Sequence, residues 1–76
     1  MDYKEAERLN RELNKEVGSR DIEIEIEEEH FGKDDWKVGI NWAACGTTSL
    51  DEAEAFAKRL LKAVEVARNS GIEQVK

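Results

Sequence analysis

The chain has one histidine, His30, one cysteine, Cys45, and eighteen carboxylates, several of which crowd around the histidine. Nucleophilic catalysis needs a thiol or hydroxyl within hydrogen-bond reach of a base. His30 is expected at the turn of a hairpin and Cys45 at the far end of its second strand, roughly 30 Å away at ~3.4 Å per strand residue. The two therefore make no nucleophile–base pair within one chain. Glu28, His30, Asp34 and Asp35 have the donor types of a cation site, but their spacing matches no known binding loop, the EF-hand included. A titrating surface imidazole is the simpler account. Gly46-Thr47-Thr48-Ser49 joins a strand to a helix N-terminus, where some folds bind phosphate. It lacks both the GxxxxGK[ST] and the GxGxxG pattern, and Asp51, Glu52 and Glu54 repel an anion there. The residues thus predict no catalytic centre, no metal and no cofactor.

Residues 22–27 read Ile-Glu-Ile-Glu-Ile-Glu. A period of two is a strand with one apolar and one acidic face. Ile22, Ile24 and Ile26 point to a core, which leaves Glu23, Glu25, Glu27 and Glu29 as a row of carboxylates ~6.8 Å apart. Neighbours at that distance repel by only ~0.6 kcal/mol in water, so the row is tolerable when solvated. Such a row can be a solvated face that discourages aggregation, or a surface that meets a basic partner. As a nucleic-acid decoy it is too sparse by itself, because DNA carries one charge per ~1.7 Å of axis. A decoy would also need Glu28, Asp34, Asp35 and acids from a helix. Gly39, Asn41, Ala43 and Cys45 share the same outer face and form a flat strip that a partner backbone or a second copy could approach. Trp36 and Trp42 fall on the core side. Trp36, near the hairpin end, is the better interface anchor of the two. The expected partner surface is Glu23, Glu25, Glu27, Glu29, Asp34, Asp35, Trp36, Gly39 and Asn41.

These residues need elements to position them. Tyr3, Ala6, Leu9, Leu13 and Val17 recur at helical spacing, with Asp2 as cap, Glu5 three positions on, and Gly18 as stop, which predicts a helix over about 3–17. Strands are expected over about 21–31 and 36–45. Pairing Phe31 with Asp35 places Ile26 opposite Ile40, Ile24 opposite Trp42 and Ile22 opposite Ala44, with Gly32-Lys33-Asp34 as the connection. This register sets Glu29 opposite Lys37 and leaves Glu28 beside Val38 on the core side, which a bulge within residues 27–29 would relieve. Ser49, with Glu52 at the third helical position, caps a second helix over about 50–69. Its apolar face is expected from Ala53, Phe56, Ala57, Leu60, Leu61, Val64 and Ala67. Residues 72–76 are too few to assign beyond edge contacts or fraying.

The fold class is therefore α+β in the order α-β-β-α, a two-stranded antiparallel hairpin with both helices on its apolar face, and residues 1–76 make a single domain. Both strands would be sheet edges, open to pairing with another strand, the Asn41–Cys45 segment most of all. Seventy-six residues are near the lower limit for autonomous folding, since such a core rarely supplies more than ~3–5 kcal/mol net. Twelve basic against eighteen acidic side chains give a net charge of −6, which argues against direct binding of nucleic acid or an anionic membrane. The lone cysteine permits no intrachain disulfide, no apolar run approaches the ~20 residues of a membrane span, and Met1-Asp2-Tyr3-Lys4-Glu5 opens no signal peptide. The cytoplasm is the expected setting.

Residues 36–67, from Trp36-Lys37-Val38-Gly39-Ile40-Asn41-Trp42-Ala43-Ala44-Cys45 through Gly46 and Thr47-Thr48-Ser49 into an Ala-rich helix, resemble small proteins of phages and mobile elements. In size and acidity the chain is also similar to anti-CRISPR and other anti-defence proteins, which often block a larger nucleic-acid enzyme. The resemblance implies a viral inhibitor and assigns no individual residue a role. The expected function is a non-enzymatic acidic module that binds a basic surface of a nucleic-acid-processing protein. The alternative is a homo-oligomeric structural protein whose acidic face is only solvated, joined through sheet edges or exposed helix surface, with Leu61 and Val66 at the interface. The double-stranded-RNA-binding module differs, with three strands and basic loops.

Overall fold

The computed structural model describes residues 1–43 and 46–75. Helix α1 (Tyr3–Val17) leads into strand β1 (Ile22–Glu28), strand β2 (Trp36–Trp42) and helix α2 (Leu50–Asn69). Each helix begins where a short polar side chain satisfies a free N–H. Asp2 accepts from the Glu5 N–H at 2.8 Å, and Ser49 accepts from the Glu52 N–H at 3.1 Å. Gly18 closes α1 in the left-handed region (φ 65°), its N–H bonded to the Asn14 carbonyl. The expected reciprocal contact from Glu52 is replaced by one from the Thr48 hydroxyl to the Glu52 carboxylate.

The strands pair antiparallel, and both helices pack on the isoleucine face and touch each other. Ile22 and Ile24 are almost fully buried, together with Val38 of β2, Val17 of α1 and Ala63, Val66 and Ala67 of α2. Leu13, Ile26, Ile40, Phe56, Leu60 and Ile72 pack around this centre.

The register differs from the expected one by two residues. Ile22 pairs with Trp42, Ile24 with Ile40, Ile26 with Val38 and Glu28 with Trp36. A shift of two leaves every side chain on its own face, so alternation could not distinguish the alternatives. The strands are correspondingly shorter than expected, and residues 29–35 form a longer connection in which Phe31 is exposed. Lys37 lies opposite Glu27 rather than Glu29, and no bulge is needed, because the ladder is continuous to Glu28. Ala44 and Cys45, at the predicted end of the second strand, lie outside the described residues.

The buried side of α2 is also rotated from the expected one. Val66, expected at the fringe, is core, while Ala53, Ala57 and Leu61 face outward. The apolar arc of this helix is wider than the stripe a single packing face covers, and α1 beside it selects which part is buried.

Residues after α2 return to the sheet. Gln74 forms a parallel bridge with Val38, whose N–H donates to the Glu73 carbonyl at 2.8 Å and whose carbonyl accepts from Val75 at 3.0 Å. The tail therefore covers the β2 edge. No helix among the described residues is long and apolar enough to cross a membrane.

Candidate interaction site on the hairpin

The outer face of the hairpin carries Glu23, Glu25 and Glu27 on β1 against Asn41, Gly39 and Lys37 on β2. Glu23 and Glu27 are exposed. Glu25 is half-buried, and its carboxylate accepts from the Asn41 side-chain amide at 3.3 Å. The helices cover the opposite face, so these carboxylates meet solvent on a side that no helix shields. Lys37 stands among them but is already engaged, 2.6 Å from Glu73 and 3.9 Å from Glu29. The hydrogen bond to Glu73 holds its ammonium above the ordinary lysine range. The face is thus acidic, and its lysine is screened by carboxylates on two sides.

Gly39 does not leave the open strip that its size suggests. Val75 lies over it, and a Cβ at residue 39 would stand 3.2 Å from Val75 Cγ2. Small size here admits the chain's own tail.

Each sheet edge is covered at one central residue, and the C-terminal residues supply the edge contacts that were one of the expectations for residues 72–76. Along β1, Ile24 donates its N–H to Asn14 Oδ1 at 2.7 Å and its carbonyl accepts from Asn14 Nδ2 at 2.9 Å. One side-chain amide thus satisfies a donor and an acceptor that a neighbouring strand would otherwise take. The C-terminal residues do the same for Val38 on β2. A polar residue next to the apolar stripe of α1, repeated at i−4 as Asn10, was the signal available in the sequence for this role.

The connection is a hydrogen-bonded clamp. Glu28 faces the helix side and turns its carboxylate into the loop, accepting from the Gly32 and Asp34 N–H groups, each at 3.0 Å, and from the Tyr3 hydroxyl at 3.2 Å. This resolves the core-side glutamate that alternation left without a partner. Asp34 adopts φ 57°, a left-handed conformation that Asp tolerates better than most residues. Its Oδ1 accepts from the Trp36 indole N–H at 2.8 Å and from the Met1 ammonium at 2.9 Å, and these contacts, the ammonium first, hold the carboxyl below its ordinary range. The Trp36 N–H is shared with the Met1 carbonyl, and its ring meets Tyr3 edge-on at 5.1 Å. Trp36 is 8% exposed, so it packs inside, as its core-side position predicts, and does not stand out as an interface anchor. Trp42, expected in the core, is 51% exposed and lines an open cavity with Ala53, Phe56 and Arg59 of α2.

Asp35 accepts from the His30 backbone N–H at 2.9 Å and faces His30 Nδ1 at 2.5 Å. The carboxylate raises the imidazole pKa, and the backbone N–H, followed by the imidazole, lowers that of Asp35. Ligand atoms of Glu29, His30 and Asp35 lie within 4.8 Å of one another, which are donor types for a cation. As arranged, the imidazole nitrogen bonds to Asp35 and Glu29 lies beside Lys37, so the three work as a loop clamp. The connection thus holds Glu29, Asp34 and Asp35; Glu29, expected in the strand's row of carboxylates, lies just past the end of β1.

No family model matches the chain, and comparison with curated proteins and solved structures found no match. The geometry therefore carries the functional reading alone.

Proposed function

We propose that this protein is a non-enzymatic acidic module that binds a basic surface of a larger protein through the outer face and tip of its hairpin. The observation that carries this reading is the hairpin's two-sidedness: the helices occupy one face, Asn14 and the C-terminal residues cover the middle of each edge, and the remaining face presents Glu23, Glu25 and Glu27, with exposed Glu29 next along the chain. On this outer face a partner meets side chains rather than backbone, so recognition rests on charge and shape. A rigid sheet holds the carboxylates at fixed spacing, which reduces the ordering cost of binding. A nucleic-acid-processing protein, whose basic cleft normally receives phosphates, is the partner class that best suits such a surface. Occupying that cleft would make the module an inhibitor of the anti-CRISPR kind.

The test compares wild type with Glu25→Lys/Glu27→Lys in capture experiments at low and raised salt, with circular dichroism to confirm that both fold. A nucleic-acid-processing protein retained by wild type, lost by the double variant and released by salt is the expected result. Equal capture by both proteins overturns the proposal.

A further inference from the structure

Helix α2 has a second apolar stripe that the described chain leaves mostly uncovered. Leu50 is 88% and Leu61 68% exposed, Ala53 and Ala57 lie exposed between them, and half-buried Val64 continues the line. The spacing of 50, 53, 57, 61 and 64 keeps these side chains on one face. We propose that this face is the contact between two copies of the chain, packed as an antiparallel helix pair about a two-fold axis at Ala57.

Self-complementarity of the stripe selects a second copy. Along the helix, Ala53 and Leu61 lie ~6 Å to either side of Ala57, and Leu50 and Val64 ~10.5 Å. A two-fold axis at Ala57 therefore sets Leu61 over the second copy's Ala53, Leu50 against its Val64, and two small alanines at the closest approach. Leu61 fits over a small residue, Leu50 meets an apolar one, and each of these contacts is made twice, as an isologous interface requires. The charges along one flank give an independent argument. Asp51 and Glu54 precede Lys58 and Lys62 in sequence, all four exposed. Antiparallel pairing sets the same flank of each helix side by side and brings Asp51 near the second copy's Lys62 and Glu54 near its Lys58, whereas a parallel pair leaves this flank apart from its copy. Glu54 and Lys58 already meet at 3.2 Å within the chain, so both ends point along this flank.

So few side chains make an interface at the small end of the specific range, below ~1,200 Å² in total, and a dimer of this size dissociates at roughly tens to hundreds of micromolar. The acidic hairpin face takes no part in it, so this inference stands or falls separately from the proposed function.

Sedimentation equilibrium across concentrations from about 10 µM to about 1 mM tests it. Wild type is expected to move from monomer to dimer mass, and Leu61→Glu to remain monomeric with an unchanged circular dichroism spectrum. Asp51→Lys/Glu54→Lys and Lys58→Glu/Lys62→Glu should each be monomeric alone and form a dimer when mixed. If one charge variant fails to fold, Leu61→Glu still decides. A wild type that is monomeric throughout, or a dimer that survives Leu61→Glu, overturns the proposal.

Discussion

Asn14 and Ile24 are joined by two hydrogen bonds, in which the side-chain amide of a helix residue accepts from the strand N–H at 2.7 Å and donates to the strand carbonyl at 2.9 Å. The same Nδ2 also donates to the Asn10 carbonyl one turn earlier, which holds the amide in place. A two-stranded sheet is marginal alone, and here a side chain supplies what a third strand would.

Replacing Asn14 with Ala should therefore leave two partly buried backbone groups unpaired, at a cost of about 1–3 kcal/mol. Urea unfolding measures this as a lower midpoint with little change in slope. Asn14→Asp keeps the acceptor for the Ile24 N–H but turns a carboxylate oxygen toward the Ile24 and Asn10 carbonyls. It should lose stability at neutral pH and recover part of it in acid, where the protonated carboxyl donates again.

Val75 over Gly39 makes a second test. Gly39→Val should push the C-terminal segment away, because even a Cβ there approaches Val75 Cγ2 to 3.2 Å. The Val38 N–H, which donates to the Glu73 carbonyl, should then exchange with deuterium up to about tenfold faster, corresponding to loss of a bond worth about 0.5–1.5 kcal/mol. Adding Val75→Ala should restore most of the protection. An unchanged rate would mean that the segment does not guard this edge.

Glu28 connects strand, loop and α1. Glu28→Ala should release the Gly32 and Asp34 N–H groups and the Tyr3 hydroxyl together, lowering stability by about 1 kcal/mol, since these bonds are open to water. Glu28→Gln keeps one acceptor oxygen and should cost about half as much. Amide shifts confined to residues 29–35 and the first turn of α1 would identify the clamp as the site of the change.

The His30–Asp35 pair gives the loop a defined pH dependence. His30 is raised from 6.5 by the Asp35 carboxylate, so its contribution is complete below 6.5 and disappears as pH rises through its raised value. Asp35 is lowered from 3.8, chiefly by the His30 backbone N–H, so its contribution is present above 3.8 and disappears as pH falls through its lowered value. The clamp is therefore complete between those ordinary values. Going from about pH 5 to about pH 8, wild type should lose more stability than His30→Gln, and NMR titration should place the His30 midpoint above 6.5. Asp35→Asn should bring that midpoint back toward 6.5.

The order of elements, the caps at Asp2 and Ser49, the stop at Gly18 and the division of β1 into isoleucine and glutamate faces were all legible in the sequence. Each depends on near neighbours along the chain or on a period that survives any register of the same parity. The register itself was not legible, because a shift of two residues preserves both faces. The observed register goes with contacts between distant residues, Glu28 with Tyr3 and Trp36 with Met1, and with the loop bonds of Glu28 to Gly32 and Asp34. The rotation of α2, the interior place of Val66, the exposure of Trp42 and the covering of Ile24 and Val38 at the two edges by Asn14 and residues 73–75 likewise follow from packing. Local pattern determined which residues are apolar and which are charged on each element; only the tertiary structure decided which apolar surfaces are spent inside the fold and which acidic ones are left facing outward, since burial is shared among elements that the chain brings together from afar.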